Sequence, residues 1–157
     1  MFAIGTSGGG HMVYKLAMTM PEKFKAMTAI VANLPVESNM DCIEKKMPMS
    51  LMIINGTDDQ TNPYYGGISA KNKGLVRSTE DTFRYWATLG GYQGESKMEV
   101  LPDLNTTDGS TIEKYTYSQK NKPEVVLLKV IHGEHNYPKD IDVYLESWSF
   151  FKRQIRK

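Results

Sequence analysis

Blocks of apolar residues along the chain predict strands and helices that follow one another. A short apolar run, residues 1–4, precedes a helical pattern over residues 8–20 in which apolar residues recur every three or four positions. Mostly apolar runs at residues 26–32, 50–55 and 124–131 have the length and composition of strands buried on both faces. Such strands form parallel sheets, so the pattern predicts an α/β fold with a mostly parallel sheet and flanking helices.

The rest of the chain predicts two more helices and two strands that are buried on one face only. One helix starts at residues 78–79 and ends at Gly90, and the last helix starts near Asp140. Apolar and polar residues alternate at residues 98–102 and 111–117, as they do in half-buried strands. Three large aromatic residues on the apolar faces of these helices are expected in the core: Trp86, Trp148 and Phe151.

A serine surrounded by glycines stands between the first strand and the first helix. Gly5-Thr6-Ser7-Gly8-Gly9 matches G-x-S-x-G, the nucleophile elbow of the α/β-hydrolases. We expect glycine two positions before and after Ser7 because β-carbons there would collide in so sharp a turn. The N–H of Gly8, at the start of a helix, would point toward a developing oxyanion. Two alternatives are a phosphate-binding loop, although the Lys-Ser/Thr ending of a P-loop is absent, and a serine that only caps the helix.

The length and charge of the chain limit its class. A chain of 157 residues predicts a single domain over residues 1–157. Its formal net charge of +1 implies no nucleic acid and no membrane surface as partner. A single cysteine, Cys42, excludes an internal disulfide. No apolar run reaches the roughly 18 residues that a membrane-spanning helix needs.

Side chains with the chemistry of a serine hydrolase follow three of the predicted strands. Ser7 follows one strand, Asp58 and Asp59 follow another, and His132 and His135 follow a third. The carboxyl ends of parallel strands meet at one edge of a sheet, and the chain order Ser, Asp, His is that of the α/β-hydrolases. A serine hydroxyl becomes a good nucleophile when an imidazole takes its proton and a carboxylate orients that imidazole. The pattern leaves open which aspartate and which histidine do so.

The histidines also raise the question of a metal site. His132 and His135 flank Glu134, but two residues three apart in extended backbone point to opposite faces, and the H-E-x-x-H spacing on a helix is absent. We therefore expect neither a metal nor a cofactor. His11, one turn into the first helix, is expected at the surface or at the rim of the substrate site.

Three motifs together resemble those of a known group of enzymes. They are Gly5-x-Ser7-x-Gly9-Gly10, Ile54-Asn55-Gly56-Thr57-Asp58-Asp59-Gln60-Thr61-Asn62-Pro63-Tyr64 and Gly133-Glu134-His135-Asn136-Tyr137-Pro138. In the same order, the polyhydroxybutyrate depolymerase / feruloyl esterase group of α/β-hydrolases has G-x-S-x-G-G, H-G-T-x-D-x-x-V-P-Y-x-G-G and G-x-H-x-W-P. The resemblance covers essentially the whole chain, with Asn55 in place of the usual histidine and Tyr137 in place of the usual tryptophan.

The resemblance implies a serine esterase, a carboxylic-ester hydrolase that works through an acyl-enzyme. Matched position by position, the nucleophile is Ser7, the acid is Asp59 and the base is His135, while the N–H of Gly8 stabilises the oxyanion. Two alternatives remain open. One is a non-catalytic remnant or binding fold that keeps the motifs, and the other is a serine peptidase with the same triad.

The resemblance also bears on substrate and location. It implies a small-molecule or polymeric ester, such as a polyester or a feruloyl or acetyl ester. Tyr64 and Tyr65, in the loop just past the acid, are candidates for lining the acyl pocket, with a surface position as the alternative, and Tyr137 is expected to alter that pocket. Proteins of this group are often exported, which implies a secreted or periplasmic location.

The resemblance starts at the elbow, within a fold of roughly eight strands. We therefore expect a partial α/β-hydrolase domain that lacks the N-terminal strands and, with them, the second oxyanion donor. Losing one such donor lowers turnover by about 10² to 10³. The first strand would become an open sheet edge, through which the chain can form a homo-oligomer.

Overall fold

The computed structural model describes residues 1–155, whose backbone forms eight strands and three α-helices. The strands are β1 (Phe2–Thr6), β2 (Ala26–Ile30), β3 (Ser50–Gly56), β4 (Gly67–Ile68), β5 (Leu75–Val76), β6 (Lys97–Val100), β7 (Thr111–Tyr117) and β8 (Val125–Ile131). The α-helices are α1 (Gly8–Thr19), α2 (Thr79–Leu89) and α3 (Val143–Ile155), and two 3₁₀ turns cover Pro21–Lys23 and Glu37–Asn39. Within residues 1–155, no helix is long and apolar enough to cross a membrane.

Six of the strands form one mixed sheet in the order β1-β2-β3-β8-β7-β6. The neighbours from β1 to β8 run parallel, whereas β7 and β6 each pair antiparallel. β4 and β5 pair separately as a short antiparallel ribbon. Every residue of β2 and β3 is buried, as expected of strands covered on both faces. The predicted α/β class with a mostly parallel sheet is therefore confirmed.

Helices cover both faces of the sheet. Successive residues of a strand point to opposite faces, and one set, including Met27, Leu51 and Leu127, packs with residues of α1 and α2. The alternate set, including Met52 and Val126, packs with residues of α3. The result is three layers, with the sheet between two layers of helices. In such a fold, functional residues gather at the carboxyl ends of the parallel strands.

The aromatic residues of the helices divide between core and surface. Trp86 and Phe151 are 1% and 3% exposed, as predicted, but Trp148 is 49% exposed, so its predicted core position is wrong. The buried stripe of α3 consists of Val143, Ser147, Phe150, Phe151 and Gln154. Trp148 lies outside this stripe because the residues that face the sheet recur every three to four positions from Val143.

β1 lies at one edge of the six-stranded sheet. In the described part of the chain, its strand partner is β2 alone. This position agrees with the open edge expected from the sequence. Association of two copies through this edge stays a prediction.

Candidate active site

Ser7 occupies the turn between β1 and α1. Its φ of 53° and ψ of −115° lie in a region that non-glycine residues rarely adopt. Gly5 permits this turn, because a β-carbon there would lie 2.1 Å from the backbone oxygen of Gly9. A β-carbon on Gly9 itself would meet open space, whereas one on Gly10 would lie 2.6 Å from Cβ of Ala32. The expectation that crowding excludes a β-carbon at Gly9 is therefore wrong, and Gly10 is the second crowded position.

The loops after β3 and β8 lie against each other because these two strands are parallel neighbours. The N–H of Asp58 donates to the oxygen of Gly133 at 2.9 Å, and the N–H of His132 donates to Oγ1 of Thr57 at 2.8 Å. A β-carbon on Gly56 would lie 2.2 Å from the oxygen of Gly133. This close contact of two backbones fixes the position of the following residues, Asp59 and His135 among them.

A chain of hydrogen bonds joins the three strand ends. Nε2 of His135 lies 3.0 Å from Oγ of Ser7, and Nδ1 of His135 lies 2.8 Å from Oδ2 of Asp59. The other carboxylate oxygen of Asp59 accepts from the N–H groups of Thr61 and Asn62 at 2.7 and 2.8 Å. The Asp59 side chain is 1% exposed and that of His135 is 21% exposed. The arrangement has a hydroxyl within reach of a base, and a base oriented by a buried and fully hydrogen-bonded carboxylate.

The neighbouring aspartate and histidine form a second pair that faces solvent. Nδ1 of His132 lies 3.3 Å from Oδ2 of Asp58, and their side chains are 69% and 51% exposed. His132 has a φ of 57°, which turns its side chain away from the direction that extended backbone would give. Of the two histidines, it is His135 that is hydrogen-bonded to Ser7. The two aspartate–histidine pairs, which the pattern of strand ends left as alternatives, therefore differ in geometry although they contain the same residue types.

The start of α1 presents a backbone N–H beside Ser7. Gly8 is the first residue of that helix, so its N–H has no partner within the helix. This N–H lies next to the turn that carries the Ser7 hydroxyl. The positive end of the helix dipole favours negative charge at this point. The described residues contain no group of three or more histidine, cysteine, aspartate or glutamate side chains arranged to hold a metal ion.

Tyr137 joins the loop that carries His135 to the turn that carries Ser7. Its hydroxyl lies 2.8 Å from Oγ1 of Thr6 and 2.9 Å from the hydroxyl of Tyr144. Both groups can donate to the phenolate oxygen, so Thr6 first and Tyr144 second lower the pKa of Tyr137. The sequence suggested that Tyr137 shapes the acyl pocket. The structure also gives it a contact that links Thr6, next to Ser7, with the loop that follows His135.

Tyr137→Phe tests this contact. We expect kcat to fall by roughly threefold to tenfold, with the fold retained, because about one neutral hydrogen bond that holds the two loops in register is lost. The measurement is kcat and KM on an activated ester, with thermal unfolding in parallel. Tyr144→Phe, which keeps the bond between Tyr137 and Thr6, is the control and should change kcat less. Equal kcat values for Tyr137→Phe and the wild type would contradict a positioning role.

Tyr64 lies in the core and presents no surface to a ligand. It is 1% exposed, and its ring packs 5.1 Å from that of Tyr65 and 5.5 Å below the ammonium of Lys129. Burial first, and then the carboxylate of Glu80, raise the pKa of its hydroxyl. The predicted role of Tyr64 in substrate binding therefore needs correction: its large apolar ring fills space beneath the acid loop. Its neighbour Tyr65 is 73% exposed.

Asn55 lies near the end of β3, in the position where the group that this sequence resembles has histidine. Its side chain holds neighbouring segments of the site together. It is 3% exposed, and its Oδ1 accepts from the N–H of Ala32 at 3.1 Å. Its Nδ2 donates to the oxygen of Ala32 and to side-chain oxygens of Asn33 and Thr79 at 2.8 to 3.0 Å. These contacts tie the end of β3 to the loop after β2 and to the start of α2. The sequence signal for this role was a polar residue near the end of an otherwise apolar strand. Comparison of motifs alone did not reveal the role.

His11, expected from the sequence at the surface or at the rim of the substrate site, is half-buried one turn into α1. Its Nε2 is buried and has no hydrogen-bond partner among the described residues. Burial first, and then the nearby imidazole of His135, lower the pKa of His11. The His11 imidazole is therefore neutral at pH 7.

The lowered pKa of His11 predicts a pH dependence of stability. The unfolded chain binds a proton at His11 as the pH falls below 6.5, the ordinary pKa of histidine, whereas the folded chain resists it. The free energy of unfolding should therefore decrease below that pH. His11→Gln, which cannot be protonated, should lose less stability than the wild type between pH 7 and about pH 5, as urea unfolding measures it. Equal losses in the two proteins would contradict the assignment.

Comparison with known proteins gives one weak relationship to esterases. No family model matches the chain. The chain is similar to a protein named "Putative esterase NocK" from Nocardia uniformis subsp. tsuyamanensis, with 24% identity over 147 residues. The matched region covers 88% of this chain and 42% of that protein, so the chain spans less than half the length of its relative. The similarity supports a general relationship to esterases.

Proposed function

We propose that the chain carries the catalytic triad of a serine carboxylic-ester hydrolase with an α/β-hydrolase fold. The observation that supports this most strongly is the continuous path of hydrogen bonds from Asp59 through His135 to Ser7. The three residues lie at the carboxyl ends of parallel strands in the order Ser, Asp, His. The similarity to a protein named as an esterase points to the same chemistry.

The proposed reaction begins with attack of Ser7 Oγ on the ester carbonyl carbon while His135 Nε2 takes the hydroxyl proton. Asp59 keeps the imidazole in the tautomer that accepts this proton and stabilises the resulting imidazolium. The Gly8 N–H donates to the oxyanion of the tetrahedral intermediate. The carbon–oxygen bond to the alcohol then breaks, and His135 returns the proton to the leaving oxygen. His135 then takes a proton from a water molecule that attacks the acyl carbon, the bond from that carbon to Ser7 Oγ breaks, and His135 returns the proton to Ser7 as the carboxylic acid leaves.

The substrate that we propose is a carboxylic ester of the kind handled by the polyhydroxybutyrate depolymerase / feruloyl esterase group. Its motifs match around all three triad residues, which supports a polyester or a feruloyl or acetyl ester. His135 lies 3.0 Å from Ser7 Oγ, so one imidazole can serve both the attacking hydroxyl and the leaving alcohol of an ester.

Turnover of activated esters tests this proposal. We expect the protein to hydrolyse p-nitrophenyl acetate with an initial burst of nitrophenol equal to the enzyme present, since acylation precedes a slower deacylation. Ser7→Ala should lose both the burst and the steady-state rate. An acyl p-nitroanilide of the same acid should react far more slowly, and faster amide than ester turnover would favour a peptidase. Hydrolysis that is unchanged in Ser7→Ala would overturn the proposal.

A further inference from the structure

A groove beside the proposed nucleophile lies between α1 and the segment 35–42. Its volume is about 310 Å³, and Gly8 and His11 contribute to its wall. Larger cavities, of about 430 to 800 Å³, are not lined by Gly8. No triad residue lines the groove itself, but Gly8, the residue after Ser7, does, which places the groove beside the turn that carries Ser7.

The walls of the groove are mainly apolar and flexible. Met12 and Met18 line it from α1, and Met40 and Val76 line it from the facing loops. Thioether side chains adapt to ligands of irregular shape because they have several rotatable bonds and a polarisable sulfur. Such a wall favours a hydrocarbon group over a polar one.

The charges around the groove cancel. The ammonium of Lys15 and the carboxylate of Asp41 face each other across the rim at 2.7 Å, so neither is free to attract a charged ligand. The imidazole of His11 is neutral at pH 7 because burial and His135 lower its pKa. An ionised group entering the groove would lose hydration without gaining a counter-charge.

We propose that this groove binds the acyl group of the ester, and that the acyl group is small, uncharged and largely apolar. The inference rests on the proposed function. The leaving alcohol oxygen must approach Nε2 of His135 to receive its proton, and His135 does not line the groove, whereas Gly8 does. The alcohol therefore departs on the His135 side, and the groove takes the other substituent of the carbonyl carbon. Its volume lies at the lower end of the roughly 300 to 1,000 Å³ typical of small-molecule pockets.

A series of p-nitrophenyl esters with one leaving group and acyl chains of increasing length tests the assignment. Met12→Trp, at a position that is 54% exposed, should fill the groove without disturbing the core. We expect the ratio of kcat/KM for the octanoyl ester to that for the acetyl ester to fall by about tenfold or more. Met12→Ala should raise the same ratio. Met98→Trp is the matched control, because Met98 is 52% exposed and lines a different cavity.

The outcomes separate this inference from the proposed function. An unchanged chain-length profile in Met12→Trp, with hydrolysis that still depends on Ser7, would overturn the acyl site alone. A change in discrimination between alcohol groups, measured with acetyl esters of different alcohols, would assign the groove to the alcohol and equally overturn it. Absence of any Ser7-dependent hydrolysis would overturn the proposed function and the inference together.

Discussion

Asp59→Asn should lower kcat for ester hydrolysis by about 10⁴-fold, whereas Asp58→Asn should leave it close to the wild-type value. The amide keeps the shape of the carboxylate but cannot hold the histidine in the tautomer that accepts the serine proton. Asp59 bonds to His135 at 2.8 Å, while Asp58 faces the exposed His132. The two residues are adjacent and chemically identical, so each serves as the control for the other.

The histidines offer the same comparison. His135→Ala should remove activity to a similar extent as Ser7→Ala, because residues that act as a unit are not additive. His132→Ala should retain activity, since His132 contacts the solvent-facing Asp58. Both variants need a steady-state rate together with circular dichroism to verify folding. Loss of activity in the Asp58 and His132 variants, with activity kept in the Asp59 and His135 variants, would mean that the assignment of acid and base is reversed.

Gly5→Ala should destabilise the protein by about 3 kcal/mol or more, whereas Gly9→Ala should change stability by less than about 1 kcal/mol. A β-carbon on Gly5 would approach the backbone oxygen of Gly9 to 2.1 Å, and backbone cannot yield as a flexible side chain does. A β-carbon on Gly9 meets nothing within 4 Å and lies in the first turn of α1. Urea unfolding of the two variants beside the wild type measures the difference.

The comparison of Gly5 with Gly9 tests whether a glycine is required because a β-carbon would collide there or whether it is only part of the motif. Both glycines belong to the same five-residue motif, but only one is crowded at its own β-carbon. If Gly5→Ala does not fold well enough for unfolding experiments, its soluble yield beside that of Gly9→Ala gives the same ranking. Equal stability of the two variants would show that the turn relaxes, and the described geometry of Ser7 would then be wrong.

Much of the fold follows from hydrophobic periodicity. The apolar runs that became β2, β3 and β8 are buried nearly throughout, and burial on both faces is what such runs require. Periodicity failed at Trp148, because a helix of 13 residues with several aromatic side chains has more large apolar residues than its buried face accommodates. The expected pocket position of Tyr64 rested on its place in a loop, and it is wrong because a residue in a loop can still point inward.

The site was only partly predictable, for a geometric reason. Strand-end placement alone did not distinguish Asp58 from Asp59 or His132 from His135, whereas the resemblance to a known group implied Asp59 and His135. The positive φ of His132 and the bonds between the two loops decide which side chain turns toward Ser7. The contact of Tyr137 with Thr6 joins residues 131 positions apart, and no local pattern specifies it.

The most direct test of the proposed Ser7–His135–Asp59 triad is the location of a fluorophosphonate adduct in the folded protein. Such a probe reacts with a serine whose hydroxyl a neighbouring base has activated. We predict one adduct per chain, found by peptide mass analysis on Ser7 and missing from both Ser7→Ala and His135→Ala. A folded protein that stays unlabelled, or one that carries the adduct on another residue, would contradict the account.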